Sequence, residues 1–259
     1  MRMVQTVDVR SRPHLLFAVL LVACVPSGSA PPSDAGASVP TTPVFRPSVS
    51  PMTTLFEDSF DRKPRAGNSN GDSGGDELGP DWTATGTTAW RIENGRLCGQ
   101  GARNHGVWLN RTLPVNARIE FDAIGDSADG DLKAELWGDG RSSATAVSYT
   151  NATSYLAILG GWKNKFHVLA RINEHGKDRK EVAVDPTSDD PRQRAVVRGQ
   201  VYRFKIERTD AKTVRWSVDG VEMLSFVDAS PLAGMGHDHF GFNNWEVKVC
   251  FDNVRVTPL

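Results

Sequence analysis

From residue 117 onward the chain alternates apolar and polar positions with a period of two. "RIEFDAI" sets Ile119, Phe121 and Ala123 against Glu120 and Asp122. "DLKAELW" sets Leu132, Ala134 and Leu136 against Lys133, Glu135 and Trp137. "KFHVLARI" sets Phe166, Val168, Ala170 and Ile172 against His167, Leu169 and Arg171. "VYRFKIE" and "TVRWSVDG" follow the same rule, and the second ends in an Asp219-Gly220 turn. Alternation over four to eight residues predicts a strand with one buried face. Many such strands, divided by Gly, Pro, Asn and Asp turns, predict an all-β antiparallel sandwich of two sheets over residues 55–259.

The pattern before residue 55 is different. Residues 1–23 have a basic head (Arg2, Arg10, Arg12) and a short apolar core, Leu15 to Val22. That is the form of an export signal, and it is too short for a membrane span. Leu21-Val22-Ala23-Cys24 resembles a bacterial lipobox, in which the cysteine becomes the lipidated first residue. The alternative is cleavage near Ala30 and release of a soluble protein; both place the chain outside the cytoplasm, the first of them anchored to the cell envelope. Residues 24–54 are rich in Pro, Ser, Ala, Gly and Thr and have too few large apolar residues to offset ordering, so a disordered tether is expected.

Composition narrows the partners. Thirty basic and 31 acidic residues leave a formal net charge of −1. Such a chain has no long-range field to gather nucleic acid. Its three cysteines, Cys24, Cys98 and Cys250, suggest one pair plus one special residue, and position makes Cys24 the special one.

No cofactor is implied, with one alternative. The loop from Gly67 to Trp82 carries Asn68, Asn70, Asp72 and Asp76, hard oxygen ligands of the kind calcium takes. It lacks EF-hand spacing and reads otherwise as a solvated loop. His237 and His239 alternate about Asp238 and could share a metal with a third ligand such as His105; the flanking glycines read equally as an exposed turn.

The stretch from Gly160 to Arg179 is the most chemically dressed. Trp162 is expected on a turn beside Asn164, with His167 and Arg171 on the non-core face of the next strand and Glu174 and His175 at its end. Glu135 and Trp137 on another strand's polar face could join them. An indole that stacks on a sugar face, beside planar polar groups that read hydroxyls, is the chemistry of a glycan site. The alternative is a loop-packed Trp162 among solvated ion pairs of little energetic weight.

Three landmarks carry a resemblance that covers most of residues 55–259. They are "LFEDSFDR" with "LGPDWTATGTTAWRIENGRL", then "WSVDG", then the final "VCFDNVRV". Their order resembles the concanavalin A-like lectin/glucanase superfamily and its laminin-G-like relatives. The resemblance implies a two-sheet jelly roll whose last strand, "EVKVCFDNVRV", returns to the start of the domain, with Asp252-Asn253 as a bulge. It also implies a Cys98–Cys250 disulfide, because the "NGRL" hairpin lies near the terminal strand in that fold.

One glucanase branch of the superfamily uses Glu-x-Asp-x-Glu. Here Glu120 and Asp122 are followed by Ile124, which removes the second glutamate. The expectation is therefore an exported, lipid-anchored, carbohydrate-binding protein without catalysis. Two other functions stay open: a glycoside hydrolase resembling the 3-keto-disaccharide hydrolases, with Glu135, His167, Glu174 and His175 as acid/base candidates, and a laminin-G-like protein-binding module.

Overall fold

The computed structural model describes residues 50–62, 78–86 and 89–259. The signal segment, Cys24, the tether up to residue 49 and the Asn68–Asp76 loop lie outside the described residues. Fifteen strands follow in chain order. The first eight are β1 (Phe56–Asp58), β2 (Trp82–Ala84), β3 (Trp90–Glu93), β4 (Arg96–Gly99), β5 (Val107–Leu109), β6 (Ala117–Gly125), β7 (Leu132–Gly138) and β8 (Tyr155–Gly160). The rest are β9 (Phe166–Arg171), β10 (Lys180–Ala183), β11 (Val201–Arg208), β12 (Thr213–Val218), β13 (Val221–Val227), β14 (His239–Asn243) and β15 (Val249–Pro258).

They form two antiparallel sheets. The eight-stranded sheet has the order β13-β12-β11-β6-β15-β4-β3, with β1 also on β15; the seven-stranded sheet has the order β10-β9-β8-β7-β14-β5-β2. This is the two-sheet antiparallel sandwich that the alternation predicts. β6 shows why: its odd positions are buried and its even positions half-exposed from Ala117 to Gly125. Phe121 of β6 and Phe251 of β15 meet Phe240 and Phe242 of β14 between the sheets, at centroid distances of 3.9 to 5.9 Å.

The last strand ties the domain together. β15 pairs with β6 along one edge, and along the other with β4 through Val249–Phe251 and with β1 through Val254–Val256. Between those two partners the register shifts, and Asn253 stands at φ 50°. Cys98 and Cys250 face each other across β4 and β15, and their sulfurs are bonded.

Two face assignments differ from the sequence expectation. Trp137 is not on the polar face of β7. It is the extra residue of a bulge against β14, at φ 52°, and the bulge turns its indole into the core. There the ring N–H donates to the Pro114 carbonyl, and the buried Arg208 guanidinium lies 3.9 Å from the ring centroid. β9 is read with its faces reversed. Leu169 packs in the main core, whereas Val168 and Ala170 belong to a second cluster with Tyr149, Leu156 and Ile158 on the outer face. Both faces of β9 are apolar, so alternation cannot tell inside from outside.

The loop closed by the disulfide spans 152 residues, for which the chain-entropy model gives about 5 kcal/mol of stabilisation. Replacing both cysteines by serine should lower the melting temperature by about 10–20 °C, and reductant should do the same to the parent protein. An unchanged melting curve under reductant would count against the bond's contribution.

Candidate functional site

β7, β8 and β9 are buried on both faces, because loops cover the outer face of the seven-stranded sheet. The polar residues that β7 aims outward are therefore buried as well. Lys133 has a side chain only 3% exposed. An ammonium group taken out of water needs counter-charge and hydrogen-bond acceptors. Its Nζ donates to Asn104 Oδ1 at 2.9 Å and to Glu174 Oε2 at 3.0 Å, with Asp131 Oδ1 at 3.9 Å. Burial alone would lower its pKa, but the Asp131 and Glu174 carboxylates outweigh that and raise it, so the lysine stays charged. Burial pushes the Asp131 carboxyl up, and Lys133 works against that.

Each partner of Lys133 fastens a loop. Asp131 Oδ2 accepts from the Trp245 backbone N–H at 3.0 Å. Glu174 Oε1 accepts from the Tyr149 backbone N–H at 3.3 Å and lies 3.3 Å from His175 Nε2. The Asn104 N–H donates to the Asn244 carbonyl. Two residues along β7, Glu135 is completely buried and accepts from the Tyr149 and Ser154 hydroxyls and from the Asn243 amide. Desolvation outweighs those donors and pushes its pKa up to about 7.

Above this floor is a pocket of about 420 Å³, within the usual range for small-ligand sites. Trp162 and Trp245, both half-buried, line it, together with Asn104, Asp131, Lys133, Glu174 and His175. Trp162 sits on the one-turn segment Gly161–Asn164, where Trp162, Lys163 and Asn164 adopt φ of 53°, 58° and 62°. Left-handed backbone at a residue with a side chain costs about 1–2 kcal/mol, so the turn must be held. Asn164 holds it: Nδ2 donates to the Ala128 and Val196 carbonyls, and Oδ1 accepts from the Val196 N–H. Close packing of Gly130 on Gly160 backs the turn, since a Cβ on Gly130 would come within 2.3 Å of the Gly160 carbonyl oxygen. His175 meets the Trp162 ring edge-on at 5.5 Å, and the Arg179 guanidinium lies 4.7 Å from its centroid.

The residues singled out from sequence part company here. Trp162 lines the pocket, as do Glu174 and His175. Asn164 builds the turn. Glu135 lies buried beneath the Tyr149 loop, outside the pocket wall. His167 and Arg171 do not share an outer face with Lys133. His167 is buried, its Nδ1 accepting from the Gly160 N–H and its Nε2 bonded to the Arg194 carbonyl, and burial lowers its pKa. Arg171 turns to Asp228 Oδ2, at 2.7 Å, and to the Ser230 carbonyl. Trp137 is in the core.

Sequence reasoning missed Asp131, Asn104 and Trp245 as site residues, and treated Lys133 only as a polar-face position. Their signal lay in contacts between distant loops. The Glu120–Asp122 stretch is on the outer side of the other sheet, where Asp122 faces Arg203 and Asn253. His237 Nδ1 bonds to the Thr153 carbonyl and His239 Nδ1 to Asp238. Among the described residues no group of three or more His, Cys, Asp or Glu could hold a metal ion.

No protein-family model matches the chain, and no curated protein matches it either. Solved structures do resemble it. A carbohydrate binding module from Bacillus subtilis superposes with a TM-score of 0.50 at 16% identity, covering 68% of this chain and 94% of that one. A beta-glucanase from Bacillus licheniformis superposes with a TM-score of 0.51 at 9% identity, covering 80% of this chain and 99% of that one. At these identities the likeness is one of fold, a two-sheet antiparallel jelly roll.

The Glu135 carboxyl sets a pH dependence. Its pKa is about 7 in the folded chain against an ordinary glutamate value of 4.5. A folded pKa above the unfolded one gives stability that is complete below pH 4.5 and is lost as pH rises towards 7, here about 3 kcal/mol. Glu135→Gln should flatten this part of the stability–pH curve, measured by denaturant unfolding between pH 4 and about 8. A variant curve parallel to the parent's would contradict the assignment.

Proposed function

We infer that the pocket above Lys133 is a carbohydrate-binding site and that the protein binds a glycan there without cleaving it. The observation that carries this reading is the pairing of two half-buried indoles, Trp162 and Trp245, with a floor of fixed polar groups. Indole faces pack on the apolar faces of sugars, and convergent amide, ammonium and carboxylate groups bond to hydroxyls. The fold likeness to a carbohydrate binding module agrees with it.

The floor favours binding over catalysis. Both deep carboxylates, Asp131 and Glu174, are turned onto one lysine and away from a position flanking a glycosidic bond. Glu174 beside His175 is the observation that keeps glycoside hydrolysis as the second reading. The sequence of the leader supports a protein that is exported and held at the cell envelope through a lipid on Cys24.

The test is a binding screen of the purified full chain against soluble and insoluble polysaccharides, with reducing-end analysis of each supernatant. The expected result is retention on at least one polysaccharide without new reducing ends, and a loss of about tenfold or more in affinity in Trp162→Ala. New reducing ends that vanish in Glu174→Gln would replace this reading with hydrolysis. A broad panel that gives neither retention nor new reducing ends would refute both.

A further inference from the structure

We propose that Asn104 and Asp131 select the ligand, and that they read two neighbouring hydroxyls on an uncharged sugar ring; this rests on the carbohydrate reading of the same pocket. The selection comes from polar atoms that the fold leaves without partners. Asn104 is only 1% exposed. Its Oδ1 accepts from Lys133 Nζ, which fixes the amide, and its Nδ2 donates to no described residue. Asp131 is fixed in the same way. Its Oδ2 accepts from the Trp245 N–H, while its Oδ1 accepts no hydrogen bond among the described residues. Lys133 Nζ stands 3.9 Å from that oxygen, beyond hydrogen-bond reach. Of the three N–H donors on Nζ, two are used, by Asn104 and Glu174. Neither free atom is sealed from solvent, as the partnerless Trp216 Nε1 is, and both residues line the pocket. The pocket is therefore where these atoms find partners.

Both residues are displayed on strained backbone. Asn104 has φ 61° and Asp131 φ 65°, in the left-handed region. Each is tied down by its own N–H, which donates to the Asn244 and the Gly160 carbonyl respectively. Strained residues that the surroundings over-determine cluster at ligand clamps. A free amide donor and a free carboxylate oxygen thus lie around one ammonium group that has a proton to spare. A hydroxyl donates and accepts at once. One hydroxyl can accept from Asn104 Nδ2, and its neighbour can bond to Asp131 Oδ1 while accepting from Lys133. An acidic substituent has no counterpart here, because three lysines in the pocket lining face four carboxylates.

The experiment holds the full chain on a polysaccharide that retains it. The competitors are the uncharged methyl glycosides of glucose, galactose, mannose and xylose, with their monodeoxy derivatives. At least one glycoside should displace the chain. Removing either of two neighbouring hydroxyls from it should weaken displacement about tenfold or more. Asn104→Asp keeps an oxygen for Lys133 and loses the donor; Asp131→Asn keeps an oxygen for the Trp245 N–H and loses the carboxylate. In each variant one of the two deoxy penalties should fall to about twofold or less. Monodeoxy glycosides that displace as well as their parents, or no displacement by any uncharged glycoside, would overturn the proposal while leaving carbohydrate binding in place. So would unchanged penalties in variants that melt at the parent's temperature. Where a variant fails to fold, the deoxy series on the parent chain still decides. A panel that gives neither retention nor new reducing ends removes the carbohydrate reading itself, and this proposal falls with it.

Discussion

A lysine side chain sealed from water on the outer face of a sheet is the constraint around which the site is arranged. Lys133 can be buried there only because three separate loops deliver acceptors to it: Asn104 from the β4–β5 connection, Asp131 from the β6–β7 turn, and Glu174 from the β9–β10 connection. Each acceptor then holds something else. Asp131 fixes Trp245, and Glu174 fixes Tyr149 and sits against His175. An unpaired charge at this depth would cost several kcal/mol. The loops are therefore coupled to each other through one ammonium group, and a preformed pocket needs that rigidity.

The sandwich supplies the platform. Its core is the stack of phenylalanines between β6, β15 and β14, and it leaves the outer face of the seven-stranded sheet free to take polar residues. β15, held between β6 on one side and β4 and β1 on the other, joins both ends of the domain to one strand. Against this platform the 160–164 turn holds left-handed residues, tied down by the Asn164 hydrogen bonds to Ala128 and Val196 and by the close packing of Gly130 on Gly160. Rigid scaffold and strained display loop divide the work between stability and recognition.

Much of this architecture was legible in the sequence because period-two alternation reports one buried face. β6 and β11 follow it residue by residue. It failed where burial is two-sided or the backbone resets. In β9 both faces are apolar, so Val168 and Leu169 gave no polarity to read, and His167 and Arg171 were placed on the wrong side. At Trp137 a bulge shifts the phase by one residue, which no local pattern announces. Within the site, Trp162 was visible as an aromatic among turn residues. Asp131, Asn104 and Trp245 were not, because their roles arise only when loops far apart in sequence converge on Lys133.

The central claim is the location of the ligand, and the indole N–H signals of the protein's seven tryptophans test it most directly. In a heteronuclear NMR titration of the full chain with a bound polysaccharide's oligomer, the Trp162 and Trp245 signals should move. Those of Trp137 and Trp216, fully buried in the core, should stay in place. Saturable shifts that spare Trp162 and Trp245 would put the glycan elsewhere and contradict the account.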